Sequence, residues 1–143
     1  MMRRRNALLA LTGAVLLRPA RASTEELRAA ILAYTGGIEP SPGPVQIDIA
    51  PLVENGNAVP LTVRVQSPMT PADHVQAIAV FNQLNPQRDV ARFTLSPALG
   101  RAQVGTRIRL ATSQQLVAVA RLSDGRFVSQ AVDVVVTLAA CVE

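Results

Sequence analysis

The chain has no lysine and no tryptophan, and only one histidine and one cysteine. A single histidine excludes a zinc site of two or three His ligands built within one chain. A single cysteine, Cys141, excludes an internal disulfide. In an oxidising compartment it is free, paired with another chain, or modified. Aromatics are 3% of the residues against 49% hydrophobic, so the core must come from Val, Ile, Leu and Ala. The branched members of that set favour strands, and 143 residues are about one domain's worth. A glycine-rich phosphate loop between a strand and a helix is also missing. Asp48, Asp73, Asp89 and Asp124 fall singly at turns and strand ends, so these aspartates offer no paired carboxylates.

The formal charge of +4 and the pI near 10.9 belong to the N-terminus. Residues 1–22 hold five arginines and no acid, leaving nine arginines against ten acids in the rest. No basic run remains there, so there is no electrostatic footprint for nucleic acid. Residues 1–22 have the three parts of an export signal: basic residues 1–5, an apolar run over 7–17, and an Ala20-Arg21-Ala22 cleavage site that makes Ser23 the first mature residue. The apolar run has 11 residues, whereas a membrane-spanning helix needs about 20, so no membrane anchor is expected in the mature protein. Arg4-Arg5-Asn6-Ala7-Leu8-Leu9 resembles a twin-arginine signal, with an ordinary secretory signal as the alternative. Either route leads to the periplasm, an oxidising compartment.

Residues 23–44 read as a short helix and a linker. Ser23 or Thr24 is placed to cap it, with Glu25 and Glu26 in the first turn. Leu27, Ala30, Ile31 and Tyr34 share a helical face, and Gly36-Gly37 is the stop. The pattern then changes to strands over 45–138. Val45, Ile47 and Ile49 alternate with polar residues, as do Val59, Leu61, Val63 and Val65. Pro60 marks a strand start or an edge. In residues 74–82, Val75, Ala77, Ala79 and Phe81 lie on one face and Ile78 and Val80 on the other, so both faces are expected to be partly covered. Further strands are expected over 90–95, 102–110, 115–122 and 127–138, the last with a bulge near Ser129 or Gln130. Asn55-Gly56 and Asp124-Gly125 are the strong turn dipeptides. About seven short, regularly spaced strands predict an all-β, immunoglobulin-like sandwich with a short N-terminal helix.

His74, beside Asp73 at a strand start, reads as a polar strand-end residue rather than a catalytic base. Arg107 and Arg109 share a strand face that reads as solvated. Cys141 differs. Ala139 and Ala140 weaken the β propensity just before it, and the sequence runs only two residues beyond it. Chain ends fray unless tied down, so the expectation is a flexible arm over 139–143 presenting an exposed thiol, with burial as a small hydrophobe the alternative. From the end of the last strand, Cys141 would project roughly 10 Å.

Five stretches together carry a family resemblance: Pro51-Leu52-Val53-Glu54-Asn55-Gly56-Asn57-Ala58-Val59-Pro60, Ser67-Pro68-Met69, Asn85-Pro86, Thr106-Arg107-Ile108-Arg109-Leu110 and Ser123-Asp124-Gly125. They resemble SoxY, the sulfur-carrier subunit of the periplasmic thiosulfate-oxidising system. The resemblance implies an immunoglobulin-like sandwich paired as a heterodimer with a SoxZ-like β subunit. It also implies sulfur attached covalently to Cys141, periplasmic sulfur-oxidation enzymes as visiting partners, no cofactor, no metal and no activity of its own.

The arm departs from the family pattern. Where SoxY arms end Gly-Gly-Cys-Gly-Gly, this sequence has Ala139-Ala140-Cys141-Val142-Glu143 and resembles a SoxY-related group ending Ala-Ala-Cys-Ile-Glu. Alanine and valine restrict a backbone that glycine would leave free. Glu143 adds negative charge, which disfavours a nearby thiolate or anionic adduct. This departure supports an alternative: an interaction module whose acidic arm, through Val142 and Glu143, docks into a partner protein. A thiol enzyme pairing Cys141 with His74 is a third reading.

Overall fold

Branched aliphatic side chains at every second position decide the architecture, because a strand patterned this way must bury one face against another sheet. The computed structural model describes residues 20–138 and Ala140, with the side chains of residues 20–22 excepted. The elements are helix α1 (Ala20–Thr35) and strands β1 (Ser41–Pro42), β2 (Val45–Asp48), β3 (Leu52–Val53), β4 (Val59–Val65), β5 (Val75–Asn82), β6 (Asp89–Thr94), β7 (Ala102–Ile108), β8 (Gln114–Leu122) and β9 (Phe127–Val136). A single turn of 3-10 helix, Pro97–Leu99, links β6 to β7.

Two sheets face each other. One runs β2-β4-β7. The other runs β1-β9-β8-β5-β6, with β3 also paired to β9. Seven substantial strands are thus split three against four, the division expected of an immunoglobulin-like sandwich. Val59, Leu61, Val63 and Val65 of β4 meet Ile78 and Val80 of β5, Leu116, Ala118 and Ala120 of β8, and Val128 and Val134 of β9 in one buried cluster. Pro60 sits at the start of β4, two residues before β2 takes up pairing at Thr62.

The expected two-sided burial of β5 has a specific cause: α1 lies across the outer face of the four-stranded layer. Leu27, Ala79, Phe81, Val117, Val119 and Phe127 form a second buried cluster, flanked by Ala30, Ile31 and Tyr34. Tyr34 packs on Phe81 and Phe127 at centroid distances of 5.7 and 6.1 Å, and the Arg92 guanidinium lies 5.0 Å from its ring. Burial pushes the Tyr34 phenol up, against the opposing pull of Arg92 and Arg121. An ion pair from Arg88 to Glu26 ties the helix to the turn after β5.

Four local expectations need correction. Among the described residues the helix already includes Ala20, so Ser23 and Thr24 lie within it rather than ahead of it, and Glu25 and Glu26 fall beyond the first turn of the described helix. Ala20-Arg21-Ala22 is good helix sequence and continues the helix backwards. Val75 faces the inter-sheet core with Ile78 and Val80, not the helix with Ala79 and Phe81. The pairing of β5 with β8 shifts register between Val75 and Ala77, and one extra residue reverses the alternation. No bulge interrupts β9, whose pairing with β8 is continuous from Phe127 to Val134. Finally, the linker contains β1, and β3 lies just before the Asn55-Gly56 turn where no strand was expected; they pair parallel with β9 at Val128–Ser129 and Val135–Val136.

The two punctuation signals hold. Gly36 and Gly37 have φ of 70° and 94°, and the Gly37 N–H donates to the Leu32 carbonyl at 2.9 Å, ending the helix. Gly125 has φ of 87° in the β8–β9 turn. There the backbone N–H and side chain of Arg126 bond to Asp124, holding its carboxyl below the usual range.

Leu27 is 3% exposed and fixes α1 to the sheet. Leu27→Ala should lower stability by about 2–4 kcal/mol, measured by urea unfolding. A loss under about 0.5 kcal/mol, the ordinary surface value, would mean that the helix is not docked in solution.

Candidate functional site

The site is the root of the expected arm, at the end of the sandwich where β9 stops. Of the arm residues, Ala139, Cys141, Val142 and Glu143 lie outside the described residues; Ala140 is described. The ladder to β3 carries past the strand end. Val135 N–H donates to the Pro51 carbonyl and Thr137 N–H to the Val53 carbonyl, both at 2.9 Å. The Thr137 hydroxyl reaches the Val53 and Glu54 carbonyls at 3.4 and 3.3 Å. On the other side of the strand, Val136 N–H donates to Ser113 Oγ at 2.8 Å.

Three backbone bonds then join the arm root to two loops. Gly56 N–H donates to the Leu138 carbonyl at 2.8 Å. Leu110 N–H donates to the Gly56 carbonyl at 2.9 Å. Ala140 N–H donates to the Leu110 carbonyl at 3.0 Å. Ala140 is 8% exposed and Leu110 fully buried. In this arrangement Ala140 is folded onto the sandwich.

Leu110 is itself held from behind by a buried amide. Asn85 Nδ2 donates to the Arg109 carbonyl at 2.8 Å, and its Oδ1 accepts from Ala111 N–H at 3.0 Å and from Gln114 Nε2 at 2.7 Å. Gln114 Oε1 in turn accepts from Leu84 N–H at 2.9 Å. Asn85 and Gln114 are 8% and 5% exposed. Buried amides of this kind must be paired, and here the bonds fix both loop 109–111 and the start of β8 against the turn after β5. No buried side-chain nitrogen or oxygen among the described residues lacks a partner.

Gly56, Asn85 and Leu110 were visible in sequence only as parts of recurrent stretches. Asn55-Gly56 read as a turn. In space, three of the five stretches that carried the resemblance converge on this one end. Leu52, Val135 and Leu138 remain exposed around it, so the root has an apolar rim.

The other candidates lie elsewhere. His74 is at the opposite end: its N–H bonds to Ser123 Oγ at 3.1 Å and its Nδ1 lies 3.1 Å from the Thr70 carbonyl. The 10 residues of β9 separate that end from the arm root, roughly 30 Å of strand. Arg107 is exposed on β7, and Arg109 is exposed with its carbonyl bound to Asn85. Met69, from the Ser67-Pro68-Met69 stretch, has φ of 51° and is 5% exposed, a strained backbone held by core packing of its side chain. Among the described residues, no three His, Cys, Asp or Glu side chains gather where they could hold a metal ion. No helix among them is long and apolar enough to cross a membrane.

This architecture recurs in solved structures. The superoxide reductase (neelaredoxin) of Ignicoccus hospitalis has a TM-score of 0.57 at 16% identity, over 64% of this chain and 79% of that one. A superoxide reductase of Thermotoga maritima, itself described as putative, gives 0.56 at 21% identity, over 64% and 84%. At those identities the likeness is one of fold. The sulfur carrier protein SoxY from Chlorobium limicola f thiosulfatophilum gives 0.66 at 29% identity, over 80% of this chain and 99% of that one. No curated protein matches significantly by sequence.

The chain is thus an immunoglobulin-like sandwich of the kind used by sulfur carriers and superoxide reductases. A sequence profile described as sulfur oxidation protein SoxY decides between them, matching residues 31–141, well over half of the sequence. The chain belongs to the SoxY family.

Asn85→Ala removes the acceptor for Ala111 and Gln114 and the donor to Arg109. Leaving buried groups unpaired should cost about 2–4 kcal/mol. Denaturant unfolding measures the loss, and amide exchange should show loop 109–111 opening first. Unchanged exchange at Ala111 would show that the amide does not hold the loop.

Proposed function

We propose that this protein is a periplasmic sulfur carrier. In this reading Cys141 binds a sulfur intermediate covalently and presents it to sulfur-oxidation enzymes, and the partner is a SoxZ-like subunit. The observation that carries the reading is the extent of the family match, which runs through the sandwich and ends on Cys141. The Chlorobium relative, itself a sulfur carrier protein, supports it. Residues 1–22 supply the export signal, of twin-arginine type, that delivers the chain to the periplasm.

Chemistry divides the labour. Joining the thiolate to the terminal sulfur of an anion such as thiosulfate, with nothing leaving, forms an S–S bond and releases two electrons. A carrier with one thiol that loads in this way therefore needs a separate protein to accept them. Attack on the same sulfur with loss of sulfite would give a persulfide with no electron acceptor. The thiolate is the reacting form of a cysteine, and the carboxylate of Glu143 works against both that thiolate and an anionic adduct. The arm belongs to the Ala-Ala-Cys-Ile/Val-Glu type, and that type calls for visiting enzymes with a wider entrance than a glycine arm requires.

Intact-mass measurement of protein taken from periplasm under sulfur-oxidising conditions tests the proposal. The expected result is one or more sulfur-containing adducts on the native chain and none on Cys141→Ser, with the function lost in that variant. An unmodified native mass, together with full function in Cys141→Ser and loss of function on deleting Val142 and Glu143, would establish the docking-module alternative instead.

A further inference from the structure

Gly56 is not where the main chain needs glycine for its conformation. Gly36, Gly37, Gly100 and Gly125 have φ between 70° and 94°, whereas Gly56 is not among the residues of positive φ. What Gly56 lacks is room. A Cβ there would lie 2.4 Å from the Leu110 carbonyl oxygen, 3.0 Å from the Ala140 nitrogen and 3.2 Å from Val136 Cγ1. A contact of 2.4 Å between a Cβ and a backbone oxygen does not occur without something moving. Leu110 is fully buried and its loop is bonded from behind through Asn85. Ala140 is joined to that loop through its N–H bond to the Leu110 carbonyl, so a shift at Gly56 bears on this bond.

We propose that Gly56 is a positioning residue for the arm. By letting two loops and the arm root meet backbone to backbone, it clasps Ala140 against Leu110 and anchors the arm root beyond the end of β9. The arm then has two lengths. With the clasp closed, Cys141 is the first residue beyond an anchored N–H. With the Ala140 bond open and Leu138 still held, two further residues come free, roughly 7 Å of added reach. Presentation of the thiol to a visiting enzyme uses the long form. The use of the clasp in presentation rests on the carrier reading of Cys141. The clasp itself does not.

The test uses the exported full chain, with any partner that copurifies. The Ala140 amide should exchange with solvent at least about tenfold more slowly than in a free chain, as one closed hydrogen bond of ordinary strength implies. Gly56→Ala should abolish that protection and raise the rate of Cys141 alkylation by iodoacetamide about three- to tenfold, since thiol reactivity follows access. Ala140→Pro removes the donor without touching Gly56 and should raise alkylation similarly, so a folding defect in the first variant leaves the test intact. An Ala140 amide exchanging at the free-chain rate, or folded variants alkylating at the native rate, overturns the proposal. A protected Ala140 amide on a chain that never acquires sulfur sinks the carrier reading and leaves the clasp standing. Sulfur loading with an unprotected amide does the reverse.

Discussion

Strand β9 is hydrogen-bonded on both edges, and most of what matters in this protein follows from that. Along one edge it is paired with β8 from Phe127 to Val134. Along the other it meets β1 near its start and β3 at its end. A strand with one partner can slip, but one held on two sides cannot shift without breaking both ladders. The register of β9 therefore fixes where the chain leaves the sandwich. The two short parallel strands also cover part of an edge that would otherwise offer unpaired N–H and C=O groups to another chain.

Much of this fold was legible in the sequence because side chains announced it. The alternation in β4, the Gly36-Gly37 stop and the Asp124-Gly125 turn are each set by local chemistry. Features that depend on distant backbone were not legible. β1 and β3 are two-residue strands, one of them Ser-Pro, too short for a period. The extra residue near Gln76 reverses a face, and nothing local marks it. At the site, Cys141 stood out because it is the sole thiol. The attachment of Ala140 to Leu110 is a bond between two main chains and leaves no mark on either residue's identity. Gly56 looked like a turn glycine when its reason is the approach of a third segment. The Asn85 amide is buried and holds a loop 24 residues away, which no local pattern marks.

The same sandwich is found in proteins described as superoxide reductases. Fold and function separate cleanly here, because the sandwich supplies rigidity and its strand ends supply whatever chemistry there is. In this chain the investment lies at one end. There the buried amides of Asn85 and Gln114 brace a loop that carries no catalytic group of its own. Such bracing suits a platform from which something is held out.

The direction in which the chain leaves β9 has a mechanical consequence. Hydrogen bonds in an antiparallel ladder lie across the strands. A pull on the arm along the axis of β9 therefore loads the bonds to β8 together, in shear, rather than unzipping them one at a time. A partner tugging on the arm would open the few bonds around Gly56 and Leu110 long before it disturbed the sandwich. The protein is built to yield at its tip and hold along its length.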